Sequence, residues 1–215
     1  MTRILYSGTK NASSWAFRAW LALRESGAPF EEIVVDIRRP QRFSNLAEIG
    51  QFSPPAAVPV LVDDSTVIFD SLAIMEYASE LGGGSLLPAE ARVRARARSL
   101  VAWVHSGMSN LCSGISFESA FFGDKRRFTE KETREAARVF ALWEQQLADS
   151  GGPYLLGALS LADLAFVPTV VRLLSRAPNL AQLPRCLGWS ERLLSRASVS
   201  EWMAVARALP PVPEV

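Results

Sequence analysis

A glycine-rich break at residues 82–85 divides the sequence into two halves with different patterns. Before the break, short β-branched apolar runs alternate with helical patterns, which is typical of an α/β domain. After it, apolar residues recur at spacings of three and four, and no convincing pair of strands is present. Pro88 follows shortly afterwards, as expected for a boundary between domains. The sequence therefore predicts an α/β domain over 1–81, a linker over 82–88 and an all-α domain over 89–215.

The first half opens with a strand, a helix and a second strand. Residues 4–6 form a short apolar run, and the β-branched residues 33–35 predict a buried strand. Between them, Ser13 or Ser14 can cap a helix that ends at Gly27. This order predicts a parallel crossover, in which both strands belong to one sheet and the helix covers it.

A hairpin and a third helix complete the first half. The apolar runs 60–62 and 67–69 flank a polar turn at 63–66, which is the pattern of a β-hairpin. A helix over 71–81 follows the second run directly. The polar stretch 38–52 has no clear periodicity, and we expect it to be irregular with room for one short helix.

The second half contains four helical patterns, at 89–108, 129–148, 161–176 and around 189–197. The third of them starts with a serine followed three residues later by an acid. Ser160 and Asp163 therefore predict a capping box, in which each side chain binds the backbone at the other residue. We expect this motif to serve folding rather than chemistry.

Composition excludes several classes of function. The net charge of the 215 residues is +1, so a polyanionic partner such as nucleic acid is not expected. No apolar stretch approaches the roughly 20 residues that span a membrane. No charged leader and apolar segment precede the first strand, so a signal peptide is not expected, and two distant cysteines are typical of reduced thiols in the cytoplasm. A single histidine, His105, argues against a metal cluster and against a Ser-His-Asp triad.

Taken in order and spacing, the motifs resemble those of the cytosolic glutathione transferases. The resemblance covers nearly the whole chain, from a serine at the start of the first helix to a Ser-x-Ala-Asp motif in the helical half. The motifs that carry it are Ser13, Val58-Pro59, Asp70-Ser71, Leu86-Leu87-Pro88 and Ser160-Leu161-Ala162-Asp163. It implies a thioredoxin-like N-terminal domain followed by an all-helical C-terminal domain, usually in a homodimer.

The serine region is similar to that of the serine-type classes, zeta and theta. In zeta proteins the catalytic serine lies five residues before an arginine, and by that spacing Ser13 matches the serine and Arg18 the arginine. Ser14 is the second candidate. Trp15 stands where zeta proteins have a cysteine, which is a departure from the maleylacetoacetate isomerases. A His-Ser-Gly stretch at 105–107 resembles a group of bacterial members and predicts a bacterial origin.

The resemblance also assigns residues to glutathione. It implies that the backbone of Val58, before a cis bond to Pro59, pairs with the cysteinyl part of the peptide, and that Asp70 and Ser71 hold its γ-glutamyl end. Family members often place a lysine, arginine or glutamine before Val-Pro to meet the glycine carboxylate, but this chain has Ala57. Lys10 or a basic residue of the arginine group is the expected substitute. That group is Arg38, Arg39 and Arg42.

The second substrate is expected to bind between the domains. Within reach of that position we expect Trp103, His105, Ser106 and Met108, with a further apolar wall from the phenylalanines at 117, 121 and 122. Each of these side chains also suits core packing. An apolar wall favours a hydrophobic electrophile.

The leading hypothesis is therefore a glutathione transferase with no metal, in which glutathione is the co-substrate. The hydroxyl of Ser13 would stabilise the thiolate, which attacks a small hydrophobic electrophile. Two alternatives remain. One is a glutathione-dependent isomerase that resembles maleylacetoacetate isomerase, and the other is a non-catalytic scaffold of the same fold that binds a protein partner.

Overall fold

A four-stranded mixed sheet forms the centre of the first half of the computed structural model, which describes residues 2–123 and 125–211, with Ser109 and Asn110 as backbone only. The strands are β1 (Arg3–Gly8), β2 (Glu31–Val35), β3 (Val60–Asp63) and β4 (Thr66–Phe69), in the spatial order β2-β1-β3-β4. β1 pairs in parallel with β2 and antiparallel with β3. β3 and β4 form the predicted hairpin.

Helices cover this sheet and make up the second half. The helices are α1 (Ser14–Ser26), α2 (Arg42–Gly50), α3 (Ser71–Leu81), α4 (Ala91–Ala102), α5 (Ser109–Gly114), α6 (Glu130–Ser150), α7 (Leu161–Leu174), α8 (Pro184–Leu194) and α9 (Ala197–Ala208). A π-helical turn (Trp103–Gly107) joins α4 to α5, and a 3₁₀ turn (Glu118–Phe121) follows α5. The predicted fold class, a thioredoxin-like domain followed by an all-helical domain, is confirmed. The division at 1–81, 82–88 and 89–215 stays a prediction, and its last four positions lie outside the described residues.

Helix α1 lies at the centre of the packing. Its residues 16–23 are all buried, and it packs against α3 on one side and against α7 and α9 of the helical half on another. α7 is likewise buried along almost its whole length. A helix that is buried along most of its length is enclosed by other elements on nearly every side. The core of the protein therefore runs without interruption from the sheet through α1 into the helical half.

A buried carboxylate fixes the start of α7. Asp163 is fully buried, and its Oδ2 accepts hydrogen bonds from the backbone N–H of Ser160 at 2.9 Å and from its hydroxyl at 2.8 Å. Its Oδ1 accepts from the backbone of Leu155 at 3.0 Å and from the indole of Trp189 at 2.9 Å. Burial raises the pKa of this carboxyl, against the opposing effect of these donors. The predicted capping box is confirmed, and it also ties α7 to α8.

The prediction of a buried second strand was wrong. In β2, Ile33 is 45% exposed and Val34 is 50% exposed. Among the strands of the described residues, β2 lies at the edge of the sheet and pairs with β1 alone, so it is not enclosed on both faces. β-branched residues predict the strand correctly but cannot show its place in the sheet.

Helix boundaries in the second half also differ from prediction. The pattern over 89–108 contains α4 and then a π-helical turn rather than one continuous α-helix. The segment around 189–197 contains the end of α8 and the first residue of a separate helix, α9, which the sequence patterns did not indicate. Within the described residues, no helix is both long enough and apolar enough to cross a membrane.

The Asp163 network gives a test of the fold. We expect Asp163→Ala to lower the free energy of unfolding by about 3 kcal/mol or more, because it leaves several buried donors without an acceptor at ~1–3 kcal/mol each. Urea unfolding followed by circular dichroism measures the change. Asp149→Ala, which removes an exposed acid from α6, is the matched control. Equal, small losses in both variants would contradict the role given to Asp163.

Candidate functional site

An open cleft of about 310 Å³ lies where the turn before β3, the start of α3 and the π-helical turn meet. The cleft is lined by Trp15, Pro55, Ala57, Val58, Pro59, Phe69, Asp70, Ser71 and His105. Most of these side chains are apolar. The structure therefore brings Val58, Pro59, Asp70, Ser71 and His105, all of them predicted from the sequence, to one cavity.

One wall of the cleft is the turn that leads into β3. The peptide bond between Val58 and Pro59 is cis, as the family resemblance implies. The pairing of β3 with β1 begins at Val60, so the peptide of Val58 lies just before the paired part of the sheet. A strand extended in this way offers backbone groups to a peptide that lies alongside it.

The start of α3 forms the opposite wall. Asp70 is the N-cap residue, and its carboxylate accepts a hydrogen bond from the backbone of Leu72 at 2.8 Å. Its φ of 74° lies in the left-handed region, which costs a residue other than glycine about 1–3 kcal/mol. Ser71, the first residue of α3, is buried at the same point. Free backbone N–H groups at a helix start bind carboxylates, so this wall suits an anionic head group.

His105 brings the helical half into the cleft. Its Nε2 lies 3.3 Å from Oδ2 of Asp70, and its ring meets the edge of Trp15 at a centroid distance of 5.4 Å. The sequence places His105 with the second substrate, but the structure places it against the acid at the start of α3. The π-helical turn carries it there.

Ser13 lies next to Val58, where α1 begins. It is the N-cap of α1, and its Oγ accepts from the backbone of Ala16 at 3.2 Å. A methyl group placed on Gly8 would lie 2.7 Å from Cβ of Ser13 and 3.0 Å from Cγ2 of Val58, so these two side chains flank the same glycine. The cap uses a lone pair of the hydroxyl oxygen, which leaves its proton able to donate to a ligand.

Ser14 points to a different partner. Its Oγ accepts a hydrogen bond from a guanidinium nitrogen of Arg172 in α7 at 2.8 Å, and both side chains are buried. The two serines that the sequence offers as candidates therefore face different surroundings, Ser13 toward Val58 and Ser14 toward the helical half.

Two of the predicted cations are not placed in the cleft. Lys10 is buried, its Nζ donates to Glu32 at 2.5 Å, and it lies 3.8 Å from the ring centroid of Trp202. Burial lowers the pKa of Lys10, although the bond to Glu32 acts in the opposite direction. Arg42 is exposed at the first position of α2 and does not line the cleft. Among the side chains that line this cavity, His105 is the one that can carry a positive charge.

Three residues predicted for the second substrate do not line the cleft. Trp103 and Met108 line a separate cavity of about 200 Å³ against α6, and Trp103 also packs on Phe166. The hydroxyl of Ser106 donates to the backbone carbonyl of Ala102 at 3.0 Å. Residues two apart on a helix project to opposite sides, so Trp103 and His105 cannot both face the cleft.

The family resemblance named Arg18, but the sequence patterns missed Arg172, the second buried arginine behind Ser14. Arg172 is the one basic residue in the mostly apolar sequence of α7, and this is the signal that could have indicated it. Phe69 and Pro55 also line the cleft, but nothing in the sequence separates them from ordinary turn and strand residues. Within the part of the chain that is described, no group of three or more His, Cys, Asp or Glu residues could hold a metal ion.

Two family models match the chain. The model of the glutathione S-transferase N-terminal domain matches residues 12–81, and the model of the glutathione S-transferase C-terminal domain matches residues 120–192. The first match contains Ser13, the cis Val58–Pro59 bond and the start of α3. The second begins after α5 and contains the capping box of α7.

Individual relatives agree with these matches. A probable maleylacetoacetate isomerase of Caenorhabditis elegans is 32% identical over 78% of this chain and 77% of its own length. The glutathione S-transferase-like protein OpS6 of Beauveria bassiana is 29% identical over 95% of this chain and 96% of its own. A Burkholderia glutathione transferase homologue, solved with bound glutathione, is 25% identical with a TM-score of 0.71, covering 96% of this chain and 98% of its own.

Proposed function

The chain belongs to the glutathione S-transferase family, and on this premise we propose that it activates the thiol of glutathione in the cleft for attack on a small hydrophobic electrophile. Glutathione is the co-substrate. The observation that carries the proposal is the arrangement of three positions: the cis Val58–Pro59 turn on one wall, the Asp70–Ser71 helix start on the other, and Ser13 beside Val58.

The γ-glutamyl end of glutathione carries both a carboxylate and an ammonium group, and the start of α3 offers a partner for each. The buried hydroxyl of Ser71 and the N–H groups of the first turn suit the carboxylate. The half-exposed carboxylate of Asp70 suits the ammonium. The cysteinyl part then lies along Val58 as an added strand, with backbone hydrogen bonds.

The sulfur of a ligand held in this way lies near the start of α1. For a thiol of pKa ~8.5 to ionise two pH units lower, its thiolate must be stabilised relative to the thiol by about 2.7 kcal/mol. A hydroxyl that donates to the thiolate supplies roughly 1.5–3 kcal/mol, and a helix N-terminus adds about 0.3–1 kcal/mol. The hydroxyl of Ser13 at the N-cap of α1 is therefore sufficient in magnitude.

His105 belongs, in this proposal, to the glutathione end rather than to the electrophile. It lies 3.3 Å from Asp70, the residue that receives the ligand's ammonium group. The ring N–H of His105 can hold the carboxylate of Asp70 in place, or contact the γ-glutamyl carboxylate. A residue of the helical half thereby takes part in binding the peptide.

The glycine end of glutathione lacks the contact that the family resemblance implies before Val-Pro. Ala57 lines the cleft and carries no polar group, Lys10 is held by Glu32, and Arg38 is held by Asp36. Of the basic residues that the sequence offers, the exposed Arg42 is the proposed contact. Because Ala57 provides no cation for the glycine carboxylate, we expect glutathione to bind more weakly here than to family members with a cation before Val-Pro.

Relatives named maleylacetoacetate isomerase favour a second candidate, a glutathione-dependent isomerase. It uses the same thiolate, which adds to a double bond and leaves again. We propose the transferase as the primary activity because both matching family models and the Burkholderia structure carry that name. A class within the family, whether zeta or theta, and a bacterial origin stay predictions.

We also propose that the protein acts in the cytoplasm as a homodimer. Both cysteines, Cys112 and Cys186, are free, which suits a reducing compartment. Phe69 on β4 is 41% exposed and Val93 on α4 is 36% exposed. Apolar side chains at such positions suit burial against a second copy of the chain.

We expect Ser13→Ala to lower kcat/KM with an aryl halide by roughly 10- to 100-fold, since a hydrogen bond to a charged group is lost. Affinity for glutathione should change little, because the other walls of the cleft hold the peptide. Ser13→Thr, which keeps a hydroxyl and a cap, should retain most of the rate. Steady-state kinetics and calorimetry give the two quantities. An unchanged rate in Ser13→Ala would remove Ser13 from the mechanism.

We expect Asp70→Asn to raise the Kd for glutathione by roughly ten-fold or more, because asparagine caps a helix equally well but carries no charge. Isothermal titration calorimetry measures this directly. Asp64→Asn, in the exposed hairpin turn, is the control and should bind as the parent does. Failure of the unaltered protein to bind glutathione at millimolar concentration would instead support the non-catalytic scaffold.

A further inference from the structure

A polar layer lies buried between α1 and α7, one residue away from Ser13. Ser14 and Arg18 lie one turn apart on α1, and Thr169 and Arg172 lie one turn apart on α7. Their exposed fractions are 4%, 2%, 0% and 5%. Residues at these spacings share one face of a helix, so the two pairs face each other across the packed helices.

Much of the hydrogen-bonding capacity of this layer is unused. Nε of Arg18 donates to the backbone carbonyl of Ala165 at 2.8 Å, and one terminal nitrogen of Arg172 donates to Ser14. Both terminal nitrogens of Arg18, the other two nitrogens of Arg172 and the hydroxyl of Thr169 have no oxygen or nitrogen partner among the described residues, and the thiol of Cys112 is the neighbour that interacts with Arg18. Buried donors without partners are rare in folded proteins, and each has a cost.

The charges of the layer are also unbalanced. Neither arginine forms an ion pair in the described part of the chain. Glu118 attracts Arg172 without reaching ion-pair distance, and the thiol of Cys112 lies beside both guanidinium groups. Burial lowers the pKa of both arginines, and that of Arg18 falls to about 9 with the repulsion of Arg172 as a further cause. Two adjacent buried cations call for an anion.

Aromatic rings shape the surroundings of the two cations. The guanidinium carbon of Arg18 lies 4.3 Å from the ring centroid of Trp15, and that of Arg172 lies 5.4 Å from the ring centroid of Phe117. Trp15 also lines the cleft proposed for glutathione. Cys112 is partly exposed, whereas the four residues of the layer are buried. The layer is therefore flanked by flat apolar walls and adjoins the peptide cleft.

We propose that Arg18 and Arg172 form an anion site for the second substrate, and that this substrate is an electrophile that carries a carboxylate. The proposal rests on the function proposed above and narrows its substrate class. The Cα atoms of Ser13 and Ser14 are ~3.8 Å apart, so an acid group held at Ser14 and the arginines lies within one small molecule of the reacting sulfur. A guanidinium binds a carboxylate through two parallel hydrogen bonds, and the two terminal nitrogens of Arg18 have no oxygen acceptor among the described residues.

A pair of aryl halides that differ in one charge tests the proposal. The probes are 4-chloro-3,5-dinitrobenzoate and its methyl ester, each corrected for its uncatalysed reaction with glutathione. We expect the acid to be favoured over the ester in kcat/KM, and Arg172→Met to reduce that preference by roughly ten-fold or more. Arg192→Met, which removes an exposed charge from α8, should keep the preference. An equal preference in parent and Arg172→Met would overturn the anion site.

A second measurement needs no glutathione. The midpoint of thermal unfolding is recorded against benzoate and against benzamide, which has the same shape without the charge, at constant ionic strength. We expect benzoate, but not benzamide, to raise the unfolding midpoint of the parent and of Arg192→Met. In Arg172→Met neither compound should raise it. This result does not depend on turnover of glutathione. The anion site can therefore be refuted without refuting the transferase activity, and the reverse also holds.

The thiol of Cys112 is the competing anion. If its thiolate already neutralises the two arginines, benzoate will raise the midpoint only in Cys112→Ala, and the proposal is overturned. If the thiol is a neutral neighbour, the parent and Cys112→Ala will respond to benzoate alike. No rise with benzoate in either protein also overturns the proposal.

Discussion

The contact between α1 and α7 is the constraint on which the rest of the structure depends. The buried guanidinium of Arg18 reaches from α1 to the backbone of Ala165, and that of Arg172 reaches back from α7 to Ser14. Helix α1 also packs on α3 and the sheet, so it belongs to the cores of both halves. The start of α1 holds Ser13, and its position relative to Val58 is therefore set by the packing of both domains.

This arrangement divides the work between the two halves. The sheet and α3 supply groups that suit a peptide: the backbone at Val58, the acid and hydroxyl at the start of α3, and the capping serine of α1. The helical half supplies His105 against Asp70, and it supplies Arg172 behind Ser14. In the function proposed here, the first half binds and activates glutathione, and the second half orients it and selects the electrophile.

Features that depend on nearby residues could be predicted from the sequence. The cap at Ser13, the hairpin, the helix start after Asp70 and the capping box at Asp163 each arise within a few residues, and the structure contains all four. The family resemblance added the cis bond before Pro59, which local chemistry alone makes rare.

Features that depend on distant partners could not be predicted. Lys10 looks like a free cation in the sequence, but Trp202 and Glu32 enclose it in the fold. Arg172 and Ser14 are separated by 158 positions, so no local pattern could join them. Within 103–108 the helical pattern did not show which side chains reach the cleft: His105 lines it, whereas Trp103 and Met108 line a separate cavity against α6.

The ionisation of glutathione bound to the protein tests the central claim most directly. The ultraviolet absorbance of the thiolate, titrated against pH with the parent protein and with Ser13→Ala, reports the pKa of the bound thiol. The account predicts a midpoint about two pH units below the ~8.5 of an ordinary thiol in the parent, and a return most of the way in the variant. A bound thiol that ionises at the same pH as free glutathione, or at the same lowered pH in both proteins, would contradict the assignment of Ser13 as the group that activates the thiol.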